Sequence, residues 1–312
     1  MPGNPRRFAR FAWLVLAFNV GVILWGAYVR ATGSGAGCGA HWPLCNGEVV
    51  PRGAATTTLI EFTHRISSGL VLALAVVLLA WARRAFAPGH PARRGAAAVM
   101  LLTITEALVG AGLVLFRLVG TDASLARVAS MALHLVNTFL LLGALTLTAA
   151  RATGLVGRRR PLLRGKPLLV GIGLLCVMLV SVTGAVTALG DTLFPPGAVG
   201  EPHGHAAAAH FLVRLRILHP LLAVAVGAYL AALGGTVLEP CRRHAWLLFA
   251  LVLAQFVAGP LTVALRAPVS MQLVHLLLAD LVWVNLLLTL DRVRRPLRAR
   301  APVLVALRAD AA

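Results

Sequence analysis

Polar residues in this chain gather into clusters separated by eight apolar runs, at about 11–29, 59–81, 96–116, 128–150, 168–189, 212–234, 246–264 and 269–290. Each run has roughly 20 residues, and at about 1.5 Å per residue that crosses the ~30 Å of a bilayer's hydrocarbon. A backbone in lipid has to satisfy its own hydrogen bonds, so helices are the expected form. The pattern predicts an all-α, polytopic membrane protein with eight transmembrane helices. The first run is expected to remain as a span, because it is long and no small-residue cleavage site follows it directly.

Of the 312 residues, 59% are hydrophobic and 12% charged, against about 25% charged in a soluble domain. That excludes a disordered chain and argues against a soluble enzyme. A formal charge of +19 would point to nucleic acid in a soluble protein. Here the basic residues lie between apolar runs. Arg6, Arg7 and Arg10 precede the first, and Arg83, Arg84, Arg93 and Arg94 occupy the 82–95 loop. Arg151, Arg158, Arg159, Arg160, Arg164 and Lys166 occupy the 151–167 loop, and Arg242 and Arg243 the 235–245 loop. Arg292, Arg294, Arg295, Arg298, Arg300 and Arg308 lie in the tail. The positive-inside rule then predicts a multi-pass protein of the cell membrane with both termini cytoplasmic, in contact with the lipid bilayer and with no nucleic acid. Arg30, Arg52, Arg65, Arg117, Arg127, Arg214, Arg216 and Arg266 fall in outer loops or at outer helix ends, where the rule disfavours them. They need another reason.

The chain repeats itself. Ser130-Met131-Ala132-Leu133-His134-Leu135 in the fourth run parallels Ser270-Met271-Gln272-Leu273-Val274-His275-Leu276 in the eighth. Glu106 followed by Gly110 in the third parallels Gln255 followed by Gly259 in the seventh. The first run ends Gly26-Ala27-Tyr28-Val29-Arg30-Ala31-Thr32-Gly33 and the fifth ends Gly184-Ala185-Val186-Thr187-Ala188-Leu189-Gly190. His64 and His219 sit near the outer ends of the second and sixth. Two pseudo-symmetric four-helix bundles are expected, residues 1–155 and 156–312. An even number of spans per half gives both the same orientation. Bundle interiors commonly hold cofactors.

Of the ten histidines, His64, His134, His219 and His275 lie inside runs, on the second, fourth, sixth and eighth. Each falls about 5 to 7 residues from the outer end, roughly 8–10 Å deep. A lone intramembrane histidine most simply bonds a neighbouring helix. Four at one depth, two per half, point instead to function. Zinc usually takes three or four protein ligands, whereas two facing imidazoles suit the axial positions of a heme iron. His64 therefore pairs with His134, and His219 with His275. Hemes so placed would present propionates to the outer surface. Arginine binds carboxylates bidentately, so Arg30, Arg65, Arg127, Arg214, Arg216 and Arg266 are candidate propionate partners. The alternative for each is a snorkelling charge at a helix end.

Cys38 and Cys45 lie in the first outer loop, six residues between them. An oxidising outer side favours a disulfide, either as a staple for a Gly-rich loop or as a redox-active pair above the first site. Cys176 is expected in the core and Cys241 as a free thiol in a cytoplasmic loop. Glu61 precedes His64 by three residues and shares its helix face. It is either a carboxylate that handles protons or holds a cation, or an interfacial cap or partner for Arg65. The corresponding place in the second half is Arg216, so the halves differ chemically. One site reads as reactive and the other as an electron carrier. Glu106 and Asp280 are expected to make inter-helix hydrogen bonds. His203, His205 and His210 carry no assignment.

These residues together resemble heme A synthase over most of the chain. The resemblance rests on Gly26 to Gly33 leading to Gly35 and Cys38, on Trp42-Pro43-Leu44-Cys45, on Glu61-Phe62-Thr63-His64-Arg65, and on the histidines of runs four, six and eight. It implies eight helices in two halves and oxidation of a methyl of heme O to the formyl of heme A by successive hydroxylations. It implies that His219 and His275 hold a heme b cofactor and that His64 and His134 hold the heme O substrate, with Glu61 as the catalytic carboxylate. It further implies heme O synthase upstream and cytochrome oxidase as consumer of the product. Some members carry a second cysteine pair in the second half, and residues 190–211 contain none.

Two other classes compete. A di-heme b-type membrane cytochrome carrying electrons from quinol would use the same histidines, but it needs no Glu61 or cysteine loop on one half alone. A transporter built on the repeat would place its site at the midplane, whereas these histidines lie near the outer face.

Overall fold

The computed structural model describes residues 4–153, 160–194 and 211–295, apart from the side chain of Pro240. Arg158, Arg159, Arg298, Arg300, Arg308, His203, His205, His210 and the 195–210 part of the second outer loop lie outside the described residues. Three of the helices begin where the sequence supplies side-chain caps. Helix α1 (Pro5–Ala31) has proline in its first turn, and Asn4 accepts from the amides of Arg6 and Arg7. Helix α2 spans Thr56–Ala85. Helix α3 (Pro91–Leu115) follows His90, whose ring nitrogen accepts from Ala92 at 3.1 Å. Partial burial lowers the His90 pKa, which keeps that acceptor unprotonated. Ser124 caps α4 (Leu125–Ala152) through the amide of Arg127. Caps take up amides that a first turn leaves free. They carry the helices past the apolar runs read from sequence, so that α1 starts at Pro5 rather than near residue 11.

Helix α5 spans Lys166–Leu193. Next, a one-turn helix (Phe211–Arg214) and a 3-10 turn (Leu215–Ile217) lead into a helical run, Leu218–Ala264. That run contributes to two spans, α6 (Phe211–Glu239) and α7 (Cys241–Ala264). A straight helix would hold Gly234 and Phe249 about 22 Å apart. Instead a Cβ on Gly234 would stand 2.8 Å from the Phe249 ring, and Gly227 meets Phe256 in the same way. The run therefore doubles back near Pro240, which has no amide hydrogen to continue the ladder. The loop expected at 235–245 is helical, and Cys241, expected in that loop, is buried as a free thiol. Helix α8 (Val269–Val293) closes the described chain. All eight spans are long and apolar enough to cross a membrane, and among the described residues there is no strand beyond an isolated bridge between Cys45 and Glu48.

Helix α1 packs on α2 and α4, and α3 packs on α2 and α4. In the second set α5 packs on α6, and α7 on α8. The two sets meet where α1 and α4 face α5 and α8, which are equivalent helices in the repeat. Phe139 and Trp283 cross edge to face at 5.0 Å in this seam, and the Trp283 indole donates to Phe139 O at 2.8 Å. At the end holding the N-terminus, buried Asp291 accepts Arg151 of α4 and Arg295, each at 2.9 Å.

Packing is uneven along the bundles. In α4 every buried side chain except Arg127 lies at Asn137 or beyond, and in α8 every one lies at Asp280 or beyond. In α1 the positions between Asn19 and Val29 are only half-buried or exposed, as are those between Val177 and Leu189 in α5. Both bundles are dense at the end with the N-terminus and loose at the level of the four histidines.

Candidate functional site

His64 stands eight residues into α2, His134 nine into α4, His219 eight into α6 and His275 six into α8. All four are half-buried at the loosely packed level. Each ring lies against a glycine of the preceding span in its own half. A Cβ would stand 2.9 Å from His64 at Gly26 and 2.9 Å from His219 at Gly184. At Gly110 it would stand 3.7 Å from His134, and at Gly259 3.5 Å from His275. The repeat read from sequence thus has a physical meaning: bare backbone on one helix makes room for an imidazole on the next.

In the second half the rings of His219 and His275 face each other, centroids 6.3 Å apart and planes at 89°. Two imidazoles on opposite sides of one metal ion need about 2 Å per metal–nitrogen bond and roughly 1 Å from nitrogen to ring centre. That totals about 6 Å, so the spacing fits a shared iron. The His219 ring nitrogen Nδ1 pairs with the Thr183 hydroxyl at 3.2 Å, while the buried Nδ1 of His275 has no hydrogen-bond partner. In the first half the buried Nδ1 of His64 is likewise unpartnered, and His64 lies within charge–charge reach of His134. The Nδ1 of His134 is 3.3 Å from Glu106 Oε1, close but not aligned as a hydrogen bond. Among the described residues no three His, Cys, Asp or Glu side chains cluster as a metal site. Two imidazoles per half is a donor set that suits a metal whose other ligands come from a macrocycle.

Above His64 lies the cysteine loop, with Cys38 and Cys45 joined by a disulfide. Glu61 is buried and fully engaged. Its Oε2 accepts the Cys38 amide at 2.8 Å, and its Oε1 accepts Arg65 through Nε at 3.1 Å and Nη2 at 2.5 Å. Arg65 also donates to the carbonyls of His41 and Leu44, at 2.6 and 2.7 Å. Thr58 and Asn46 both donate to Gly37 O. A Cβ on Gly37 would stand 2.5 Å from Thr57 O, so only glycine lets the loop lie this close to α2. Both readings of Glu61 meet here, as a carboxylate beside a proposed ligand and as the partner of Arg65.

The outer arginines divide. Arg30 reaches across the seam to Ala188 O at 2.8 Å, Thr192 at 3.0 Å and Gln272 at 2.9 Å. Arg127 is buried and donates to Gly120 O and Asp122 O. Arg216 pairs with Asp191 at 2.7 Å and donates to the carbonyls of Gly190 and Phe194. Arg214 and Arg266 are exposed. Cys176 is half-buried in α5. Glu106 makes the expected inter-helix bonds, to Asn137 and Thr138. Asp280 does not. It is 1% exposed, and among the described residues neither carboxylate oxygen has a hydrogen-bond partner. Asn137 and Thr138 carry no assignment in the sequence reading. Their place three and four residues after His134, on its face, is the signal that points to them.

The family model for cytochrome oxidase assembly protein, COX15-CtaA, matches residues 9–287. A protein of Thermus thermophilus named protoheme IX farnesyltransferase is 52% identical over 287 residues, covering 89% of this chain and 47% of the relative. A heme A synthase of Alkalihalophilus pseudofirmus is 48% identical over 95 residues, 30% of this chain and 32% of the relative. Another, of Halalkalibacterium halodurans, is 45% identical over 95 residues, again 32% of its length. The chain therefore spans about half the length of the Thermus relative and matches about a third of each synthase.

Proposed function

The chain belongs to the COX15-CtaA family of cytochrome oxidase assembly proteins, and from that premise we propose that it is a heme A synthase, oxidising a methyl group of heme O to the formyl group of heme A. The observation that carries this reading is the glycine-backed histidine pair in each bundle combined with a carboxylate and disulfide loop on one bundle only. His219 and His275 hold a heme b cofactor, which when bound supplies one-electron redox chemistry. His64 and His134 hold heme O by its iron and so fix where its methyl groups lie. Fixing a reacting carbon in this way is the main service a site renders to a slow step. Two successive hydroxylations of one methyl carbon, each a two-electron oxidation whose electrons and oxygen atom are exchanged with an oxidant and an oxygen donor supplied from outside the chain, give a hydrate that loses water to the formyl group. Each step moves protons, and Glu61 is the carboxylate one helical turn from His64 that accepts or returns them. Arg65 holds Glu61 and the loop carbonyls in place. The exposed Arg214 and Arg266 are free to meet propionates, whereas Arg30, Arg65, Arg127 and Arg216 would have to share guanidinium groups already bonded.

Heme O synthase is the upstream partner and cytochrome oxidase the consumer. The Thermus relative fits this order. Its name describes addition of a farnesyl group to protoheme IX, and about half of that protein lies outside the match. We read the name as belonging to that other half. The basic loops support a cell-membrane location with both termini cytoplasmic and the histidines towards the outer face.

The pairing is tested by the reduced-minus-oxidised spectrum of the purified protein. His219→Ala and His275→Ala should each remove a low-spin heme b signal. An unchanged spectrum in both variants contradicts the assignment.

A further inference from the structure

We propose that Glu106 is the charged positioning residue of the first-half site. Its carboxylate, 3.3 Å from His134 Nδ1, strengthens that imidazole as an electron donor, which makes a heme bound there harder to reduce than the heme of the second half. This rests on the heme reading above.

Glu106 is held in place by a bonded chain between α3 and α4. The Asn137 side-chain amide and the Thr138 hydroxyl both donate to it. Asn137 is itself fixed, donating to Leu102 O at 2.9 Å and accepting from Thr105 at 2.7 Å. The oxygen that takes Thr138 is the one 3.3 Å from His134 Nδ1. Asn137 and Thr138 are neutral, so the charge of Glu106 is left to act on the imidazole. Glu61 differs, because its charge is met by Arg65. A carboxylate beside the non-ligating nitrogen of a metal-bound histidine raises the basicity of the other nitrogen. Added negative charge near an iron favours its more oxidised state.

The repeat supplies an internal control. Gln255 precedes Gly259 by four residues, as Glu106 precedes Gly110. Its amide goes to His275 O at 3.2 Å and its Oε1 has no partner. Leu278 and Ala279 stand where the first half has Asn137 and Thr138. The same fold thus places a carboxylate beside the second histidine of one half and an amide beside that of the other, matching a reactive site and a carrier.

The test loads purified protein with ferric protoheme and follows each heme by spectroelectrochemical titration. Wild type should show two transitions. In Glu106→Gln the lower should rise, by about tenfold in the ferric-to-ferrous ratio at fixed potential or about 59 mV for one electron. The upper should stay, with heme content unchanged, and Glu106→Asp should recover part of the shift. Gln255→Glu should lower the upper transition. Unmoved potentials in Glu106→Gln, with both hemes bound, overturn the proposal. If that variant does not fold, an unmoved upper transition in Gln255→Glu overturns it instead. Wild-type protein that takes up no heme overturns the heme reading and this proposal together.

Discussion

The four glycines behind the histidines do not all carry the same load. At Gly184 a methyl group would stand 2.9 Å from the His219 ring, closer than real Cβ contacts come, whereas at Gly259 it would meet His275 at an ordinary 3.5 Å. Gly184→Ala should therefore push His219 out of line with His275 and sharply reduce the second-half heme signal per protein, while Gly259→Ala keeps it. Equal signals in the two variants, read by pyridine hemochrome content and optical spectrum, would show that the close backbone does not position the ring. The histidines themselves were legible in the sequence, because an ionisable side chain stands out in an apolar run. The glycines were legible only as part of a repeat. What a glycine admits depends on which face of which neighbouring helix meets it, and that is not written near it in the chain. Asp280 shows the opposite failure. Sequence predicts a bonded carboxylate there, and among the described residues no donor reaches it.

At the scale of elements, the loop from Thr32 to Cys45 and the first turns of α2 behave as one unit through Glu61 and Arg65. An amide at position 61 has one acceptor oxygen to meet both the Cys38 amide and the Arg65 guanidinium. Glu61→Gln should keep the fold and the second-half heme b, because the substitution conserves size. It should lower conversion of heme O to heme A by roughly 10²-fold or more, in the range of a lost general acid–base group, with a partly oxidised heme accumulating. The heme profile of cells carrying the variant, set beside the heme b content of the purified protein, decides it. Normal heme A would leave Glu61 as a tether of the loop. The cysteine pairing was legible from spacing and side of the membrane. The tether was not, since Arg65 reaches the carbonyls of His41 and Leu44, and backbone acceptors leave no mark in sequence. The hairpin of α6 and α7 was read with a loop that the structure replaces by helix, because hydropathy locates spans and not the geometry of a tight reversal.

For the whole molecule, the sequence showed eight spans and an internal repeat, but not which faces meet. The seam of α1 and α4 against α5 and α8 depends on contacts more than a hundred residues apart, such as Trp283 on Phe139 and Arg151 on Asp291. Arg30 shows the consequence. A candidate propionate partner from the sequence, it binds Thr192 and Gln272 of the other half and joins the two sites' surroundings. One half holding substrate and the other a redox heme is the central claim, and identifying the hemes made in its presence tests it most directly. The chain is produced in cells that make heme O but lack a heme A synthase, and extracted hemes are separated by chromatography. The account predicts heme A or its alcohol precursor with the wild-type chain, and heme O alone when His64 or His134 is replaced by alanine. Heme O unchanged beside a heme b-loaded wild-type protein would contradict it and leave a membrane cytochrome that carries electrons without oxidising heme.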